Sequence, residues 1–267
     1  MDGIGIIQSV VLGVVEGLTE FLPISSTGHL ILAAEMLGAH GEKAKLFEVF
    51  IQLGAILAVL WIYRRKIVSV IMQLPAETGA RRLALGLVIA FLPAAVVGLV
   101  AHNGIKKYLF SPYTVAVALF IGGLVIMWIE SRKHSGTIED VDKLTLRSAF
   151  LVGIAQVFAL VPGVSRAGAT IMGGLLAGMS RKTATEFSFF LAIPTMLAAT
   201  TFDLAKGYSA LTSGDMKILA VGFIAAFVSA LWVVRWLLAF ISHNDFKLFA
   251  WYRIIFGIFL MLLYYFR

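Results

Sequence analysis

Long apolar stretches broken by short polar ones set the pattern of this chain. Six of them, residues 47–63, 83–101, 113–129, 184–202, 218–240 and 248–266, approach the roughly 20 apolar residues that a helix needs to cross a bilayer. Two other apolar regions are shorter and carry a polar break. Residues 3–15 and the run His29-Leu-Ile-Leu-Ala-Ala flank Glu16-Gly-Leu-Thr-Glu-Phe-Leu-Pro-Ile-Ser-Ser-Thr-Gly-His29, and residues 148–161 and 169–179 flank Pro162-Gly-Val-Ser-Arg-Ala-Gly-Ala-Thr170. Irregular backbone at membrane depth survives only where protein or a cavity satisfies it, so each broken region reads as a re-entrant helix-loop-helix pair. Residues 30–46 lead out through Glu42, Lys43 and Lys45 to the first span, where Glu48 and Gln52 share one helical face and Arg64-Arg65-Lys66 marks the end. A loop with Lys106, Lys107 and Pro112 joins the second and third spans, and Glu186 lies near the start of the fourth. The pattern predicts an all-α integral membrane protein with six transmembrane helices and two re-entrant pairs.

The two breaks are related. Adding 140 to the first takes Gly13 to Gly153, Glu16 to Gln156, Ser25 to Ser165 and Gly28 to Gly168; farther on, Glu48 and Glu186 lie 138 apart and Gly86 and Gly222 136 apart. This ordered drift indicates an internal duplication. Three crossings per half is an odd number, so the repeats have inverted topology. The organisation expected is a first repeat over 1–129, a cytoplasmic linker over 130–147, which is the most polar segment, and a second repeat over 148–267.

Composition agrees: of 267 residues 60% are hydrophobic and only 14% charged, and the mean hydropathy is +0.94, values of a membrane protein. There is no cysteine, which excludes disulfides, thiolate metal ligands and thiol catalysis. The net charge of +7 reads as topology-setting Lys and Arg rather than as a nucleic-acid surface. With the loop 64–82 inside, twelve basic residues fall inside: five in that loop, four in 130–147, then Arg181, Lys182 and Lys247. Seven fall outside (Lys43, Lys45, Lys106, Lys107, Lys206, Lys217 and Arg267), and Arg166, Arg235 and Arg253 stay within apolar segments. Both termini then lie outside, and the N-terminus Met1-Asp-Gly-Ile-Gly lacks the basic region of a cleavable signal.

Ionisable groups at membrane depth cost about 2.5 kcal/mol or more each, so the two breaks are the functional candidates. Glu16 and Glu20, four apart on one helix face, can share a divalent cation, share a proton or hold a base. Ser25, Ser26, Thr27 and Gly28 offer hydroxyls and N–H groups at a helix start, a natural anion site. His29, three residues after Ser26, can act on it as general base or protonate a leaving group. Ser165, Arg166 and Gly168 put a guanidinium suited to phosphate beside a hydroxyl and a flexible backbone; a pairing of Arg166 with Glu20 or Glu186 is the alternative use. Together these groups describe a phosphoryl-transfer site built from both repeats, with Ser26 the favoured nucleophile, although a transporter also places its site where inverted repeats meet.

The stretches Glu16–His29 and Pro162–Thr170 closely resemble the two signature motifs of the undecaprenyl-diphosphate phosphatase family, the bacitracin-resistance type. The likeness continues through Phe47-Glu-Val-Phe-Ile-Gln-Leu-Gly54 and Glu186-Phe-Ser-Phe, essentially the full length. One departure is Ala167, where many members carry serine. The resemblance implies an inner-membrane enzyme that hydrolyses the C55 isoprenyl diphosphate to the monophosphate and phosphate, recycling the carrier lipid of peptidoglycan synthesis. It also implies a divalent metal, Mg²⁺ or Ca²⁺, a site open to the periplasm, and the same arrangement of spans and re-entrant pairs. Expected partners are the lipid substrate, the bilayer and a second copy in a homodimer, with no nucleic acid. A lipid-phosphate transporter or flippase is the competing reading; a scaffold gives no reason to bury Glu16, Glu20, His29 and Arg166.

Overall fold

In hydrocarbon a chain must satisfy its backbone polar groups from within, and helices do so segment by segment. The computed structural model describes residues 4–132, 136–207 and 212–266. Met1–Gly3, Lys133 and Arg267 from the topology argument lie outside the described residues. Ten α-helices are present among the described residues: α1 Ile6–Thr19, α2 Ser26–Leu37, α3 Glu42–Gln73, α4 Thr78–Tyr108, α5 Pro112–Glu130, α6 Leu146–Phe158, α7 Arg166–Leu176, α8 Arg181–Gly207, α9 Met216–Ile241 and α10 Lys247–Tyr265. Six of them, α3, α4, α5, α8, α9 and α10, are long and apolar enough to cross a membrane. With 14 and 13 residues, α1 and α6 rise only about 20 Å. The 12-residue α2 and 11-residue α7 are shorter still.

Helix ends differ from the apolar boundaries in an instructive way. Arg64-Arg65-Lys66 does not end its helix, since α3 continues to Gln73. Lys106 and Lys107, expected in a loop, lie in the last turn of α4. Arg and Lys are good helix formers, so a basic cluster marks where lipid ends rather than where the helix does. Pro112 opens α5 at a position where its missing N–H costs nothing, and Ser111 caps that helix by accepting from Thr114 N at 3.1 Å. Within the polar stretch 130–147, residues 136–147 are bound to the molecule: Val141 and Leu144 are buried, and Ile138 N donates to Gly178 O at 3.0 Å. Glu130, at the end of α5, accepts from Arg181 Nε at 3.0 Å and from Phe246 N at 3.1 Å, tying α5, α8 and the start of α10 together.

Packing follows small residues. The α1 helix lies on α9, α6 on α4, α5 on α10, and α3 on both α8 and α9. A Cβ on Gly13 would stand 2.4 Å from Gly222 O, and one on Gly17 would stand 2.3 Å from Ala226 O. On the other side, Gly153 meets Ala90 O at 2.8 Å. The α5–α10 crossing is reciprocal: Gly257 lies against Ala116 O and Phe120 N, while Gly123 lies against Ala250 O and Ile254 N. The pairs 116/250, 120/254 and 123/257 share one offset, 134. The main core gathers Phe21 and Ile24 from the first break with Ala167, Ile171, Phe187 and Phe189 around the second.

These contacts predict opposite outcomes for two Gly→Ala changes. Gly17→Ala meets the α9 backbone and should cost about 1–3 kcal/mol. At Gly104, where a Cβ meets nothing within 4 Å, the same change should gain about 0.5–1 kcal/mol. Thermal unfolding in detergent checks both; equal shifts of the midpoint would contradict the close α1–α9 contact.

Candidate active site

Both breaks are built the same way. A helix stops, a proline-containing turn follows, and a serine with left-handed backbone starts the next helix. Ser25 has φ 70 and Ser165 φ 73, and among the described residues they are the only non-glycine residues with positive φ. Such a conformation costs on the order of 1–3 kcal/mol and persists where the surroundings impose it. Ser165 Oγ caps α7 by accepting from Gly168 N at 3.0 Å and donates across to Leu22 O at 3.4 Å. The Ser25 Oγ is buried and makes no side-chain cap bond.

The line of polar contacts runs from one break to the other. Glu20, at the end of α1, accepts from Ser26 Oγ at 2.6 Å on one carboxylate oxygen and from Arg166 Nη2 at 3.1 Å on the other. Arg166 opens α7, and its Nη1 donates to Ser188 O at 3.1 Å while its guanidinium lies 5.6 Å over the Phe21 ring. Ser188 Oγ is held by Thr170 Oγ1 at 2.7 Å, and Thr170 in turn bonds Arg166 O at 2.9 Å. The two charged side chains are 11% and 9% exposed, so the pair is shielded yet reachable. Of the two carboxylates weighed for Arg166, the structure pairs it with Glu20; Glu186 instead has Lys182, Lys66 and Asp140 as charged neighbours.

The expected contact of His29 with Ser26 is not formed. His29 Nδ1 lies 2.7 Å from Ser25 O. A carbonyl only accepts, so Nδ1 carries the proton and the bare Nε2 of the neutral ring accepts from Tyr252 OH at 2.6 Å. Phe256 stacks on the ring at 4.5 Å. Spacing alone put Ser26 and His29 together; the helix start turns Ser26 back toward Glu20 and leaves His29 facing α10. Gly28 packs against Leu119 and Val115 of α5, and Gly168 against Arg253. Ala167 is fully buried.

Glu16 bears on the question of a metal. Its carboxylate is fully buried, and neither oxygen has a hydrogen-bond partner. A charge so buried demands a proton or a cation. Among the described residues no three His, Cys, Asp or Glu side chains are grouped as metal ligands. Carboxylate oxygen is the donor type that hard divalent ions take.

Arg253 is the residue that sequence reasoning missed. It is fully buried in α10 and donates to Leu119 O from Nε at 3.3 Å, to Pro23 O and Val164 O from Nη1 at 3.1 and 2.9 Å, and to Ala118 O and Gly163 O from Nη2 at 3.1 and 3.0 Å. The signal was present, since an arginine inside an apolar span is costly wherever it stands. Tyr252 had no such signal, as polar uncharged residues are common in spans, whereas Thr170 and Ser188 lie within the motif stretches but were given no role.

Known proteins resemble this chain over nearly its whole length. The family described as Bacitracin resistance protein BacA matches residues 9–259. A protein named Undecaprenyl-diphosphatase from Dechloromonas aromatica is 54% identical over 258 residues, covering 97% of this chain and 94% of that one. Proteins of the same name from Nitrosospira multiformis and Acinetobacter baumannii are 53% and 51% identical, over 98% of this chain and 96% and 97% of theirs. A family match across most of the chain, and identity above half over nearly all of it, mean that this chain belongs to the bacitracin resistance protein BacA family.

Proposed function

We propose that the protein is an undecaprenyl-diphosphate phosphatase, hydrolysing the C55 isoprenyl diphosphate to the monophosphate and inorganic phosphate, and so recycling the peptidoglycan carrier lipid and conferring bacitracin resistance. The names of the relatives support the substrate. The observation that carries the chemistry is the bond from Ser26 Oγ to the Glu20 carboxylate whose other oxygen holds Arg166. A serine hydroxyl is a poor nucleophile without an adjacent base, and here the base is Glu20.

In this reading the diphosphate oxygens compete for the Arg166 guanidinium and draw it from Glu20. The freed carboxylate takes the Ser26 proton as Oγ attacks the terminal phosphorus. The bond from phosphorus to the bridging oxygen breaks, and the isoprenyl monophosphate leaves with the electron pair. Water then opens the phosphoserine, losing a proton to His29 Nε2 once Tyr252 OH turns aside, and the Glu20 proton returns to Ser26. The N–H groups at the start of α2, with Ser25, Thr27 and Gly28, bind phosphate oxygens, as do Ser165 and Gly168 at α7, the Gly168 N–H once it leaves Ser165 Oγ. A divalent ion, Mg²⁺ or Ca²⁺, held by Glu16 and Glu20 would neutralise the diphosphate and polarise its phosphorus.

The same reading takes 1–129 and 148–267 as inverted repeats joined by the cytoplasmic stretch 130–147, with α1–α2 and α6–α7 as re-entrant pairs. Supporting it are the short lengths of these helices, the matched left-handed serines and the reciprocal α5–α10 crossing. The bias of basic residues supports an orientation with both termini outside, and the family resemblance supports a bacterial inner-membrane location with the site open to the periplasm.

Purified protein in detergent should release phosphate from undecaprenyl diphosphate, and Ser26→Ala should lower turnover by about 10³-fold or more while lipid binding persists. Acid quench of a single turnover should trap phosphate on the Ser26 peptide; substantial turnover by Ser26→Ala moves the attack to water, and binding without any release favours a transporter. Arg166→Lys keeps the charge but loses the fork that spans phosphate and Ser188, and a fall of about 100-fold in kcat is expected. Near-normal kcat in a folded lysine variant would reduce Arg166 to an ion-pair partner. Glu16→Gln and Glu20→Gln should each remove most activity, as should chelation by EDTA, and the double variant should be little worse than either. Multiplicative losses at saturating Mg²⁺ would mean independent roles.

A further inference from the structure

The Arg253 guanidinium is saturated. Arginine has five N–H donors, and the five bonds to Leu119 O, Pro23 O, Val164 O, Ala118 O and Gly163 O use them all. The acceptors come from three separate places: the first break, the second break and the middle of α5. No carboxylate takes part, whereas Arg166 faces Glu20 and the part-exposed Arg181 faces the buried Glu130.

Space has been kept for this group. A Cβ on Gly122 of α5 would stand 2.1 Å from Arg253 Nη2, and one on Gly168 of α7 would stand 3.2 Å from Nη1. Gly163, with φ +95, lies so close to α5 that its own Cβ would reach Val115 O at 2.5 Å. The second break is therefore held between the α5 backbone and the Arg253 fork.

The carbonyls it holds lie next to the reacting groups. Pro23 precedes the nucleophile Ser26 by three residues, and Gly163 and Val164 precede Arg166 by three and two. Fixing Pro23 O sets where α2 begins, and fixing Gly163 O and Val164 O sets where α7 begins. One planar fork thus determines the separation of Ser26 from Arg166.

We infer that Arg253 is a positioning residue for the reaction, holding the two breaks in the register at which Ser26, Glu20 and Arg166 line up. The inference rests on the phosphatase reading above. Lysine has three donors and leaves at least two of the five carbonyls unmet, without removing the charge.

The test uses Arg253→Lys and Gly122→Ala, purified in detergent and assayed for phosphate release from undecaprenyl diphosphate at saturating Mg²⁺, with folded yield and thermal midpoint measured in parallel. Displacement of reacting groups by about 1 Å can cost about 100-fold in rate. The expected result is kcat lowered by about 10- to 100-fold in the folded fraction, with KM within about threefold of the parent. Gly122→Ala keeps every donor and charge and meets only the far end of a flexible side chain, so it decides the matter if the lysine variant does not fold. A lower midpoint or yield with kcat of the folded fraction unchanged would overturn the inference and leave Arg253 as support for the fold. Failure of the parent protein to release phosphate would instead overturn the phosphatase reading.

Discussion

Everything in this molecule answers to one constraint: a peptide carbonyl within hydrocarbon must find a donor. The long helices meet it internally, but the turns at Pro23 and at Pro162–Val164 cannot. Arg253 supplies donors to both turns from a single side chain. It also bonds two carbonyls of α5, so the helix that flanks the turns and the turns themselves share one anchor. In the re-entrant arrangement proposed above, support for the non-helical turns comes from this neighbouring helix rather than from the turns themselves.

Charges are handled by a related logic. The buried cation Arg166 is compensated by Glu20 from the other break, and Glu130 by Arg181. Breaking either pair would leave an uncompensated charge, typically a loss of several kcal/mol. Glu16 stands apart, with no partner for either oxygen. The site therefore contains one satisfied carboxylate that holds the hydroxyl and one unsatisfied carboxylate four residues before it. This division suits a centre that must both move a proton and accommodate positive charge.

Much of this was legible before any coordinates. The six spans could be read because lipid demands long apolar helices, and the two breaks because Glu, His and Arg are conspicuous in such company. Helix extents were less legible: Arg64-Arg65-Lys66 and Lys106-Lys107 signal the edge of lipid, and helices run through it. The pairing within the site was not legible either. Ser26 and His29 are neighbours by spacing, but the left-handed Ser25 redirects the start of α2, and Ser26 meets Glu20. Arg253 was visible as a residue yet not as a function, because its partners are carbonyls from stretches about 90 to 230 positions away, and a carbonyl has no sequence signature.

The matched serines at the two breaks have one more consequence. Ser25 and Ser165 share a backbone conformation, but the next residue is a hydroxyl donor at one and a guanidinium at the other, Ser26 and Arg166. Two identical halves assembled as a symmetric pair would bring hydroxyl to hydroxyl or guanidinium to guanidinium. In the proposed reading, diverged halves present an attacking group opposite a charge that receives its target. Under the proposed reaction, chemistry as well as the stability of the bundle gives a reason for carrying both halves on one polypeptide.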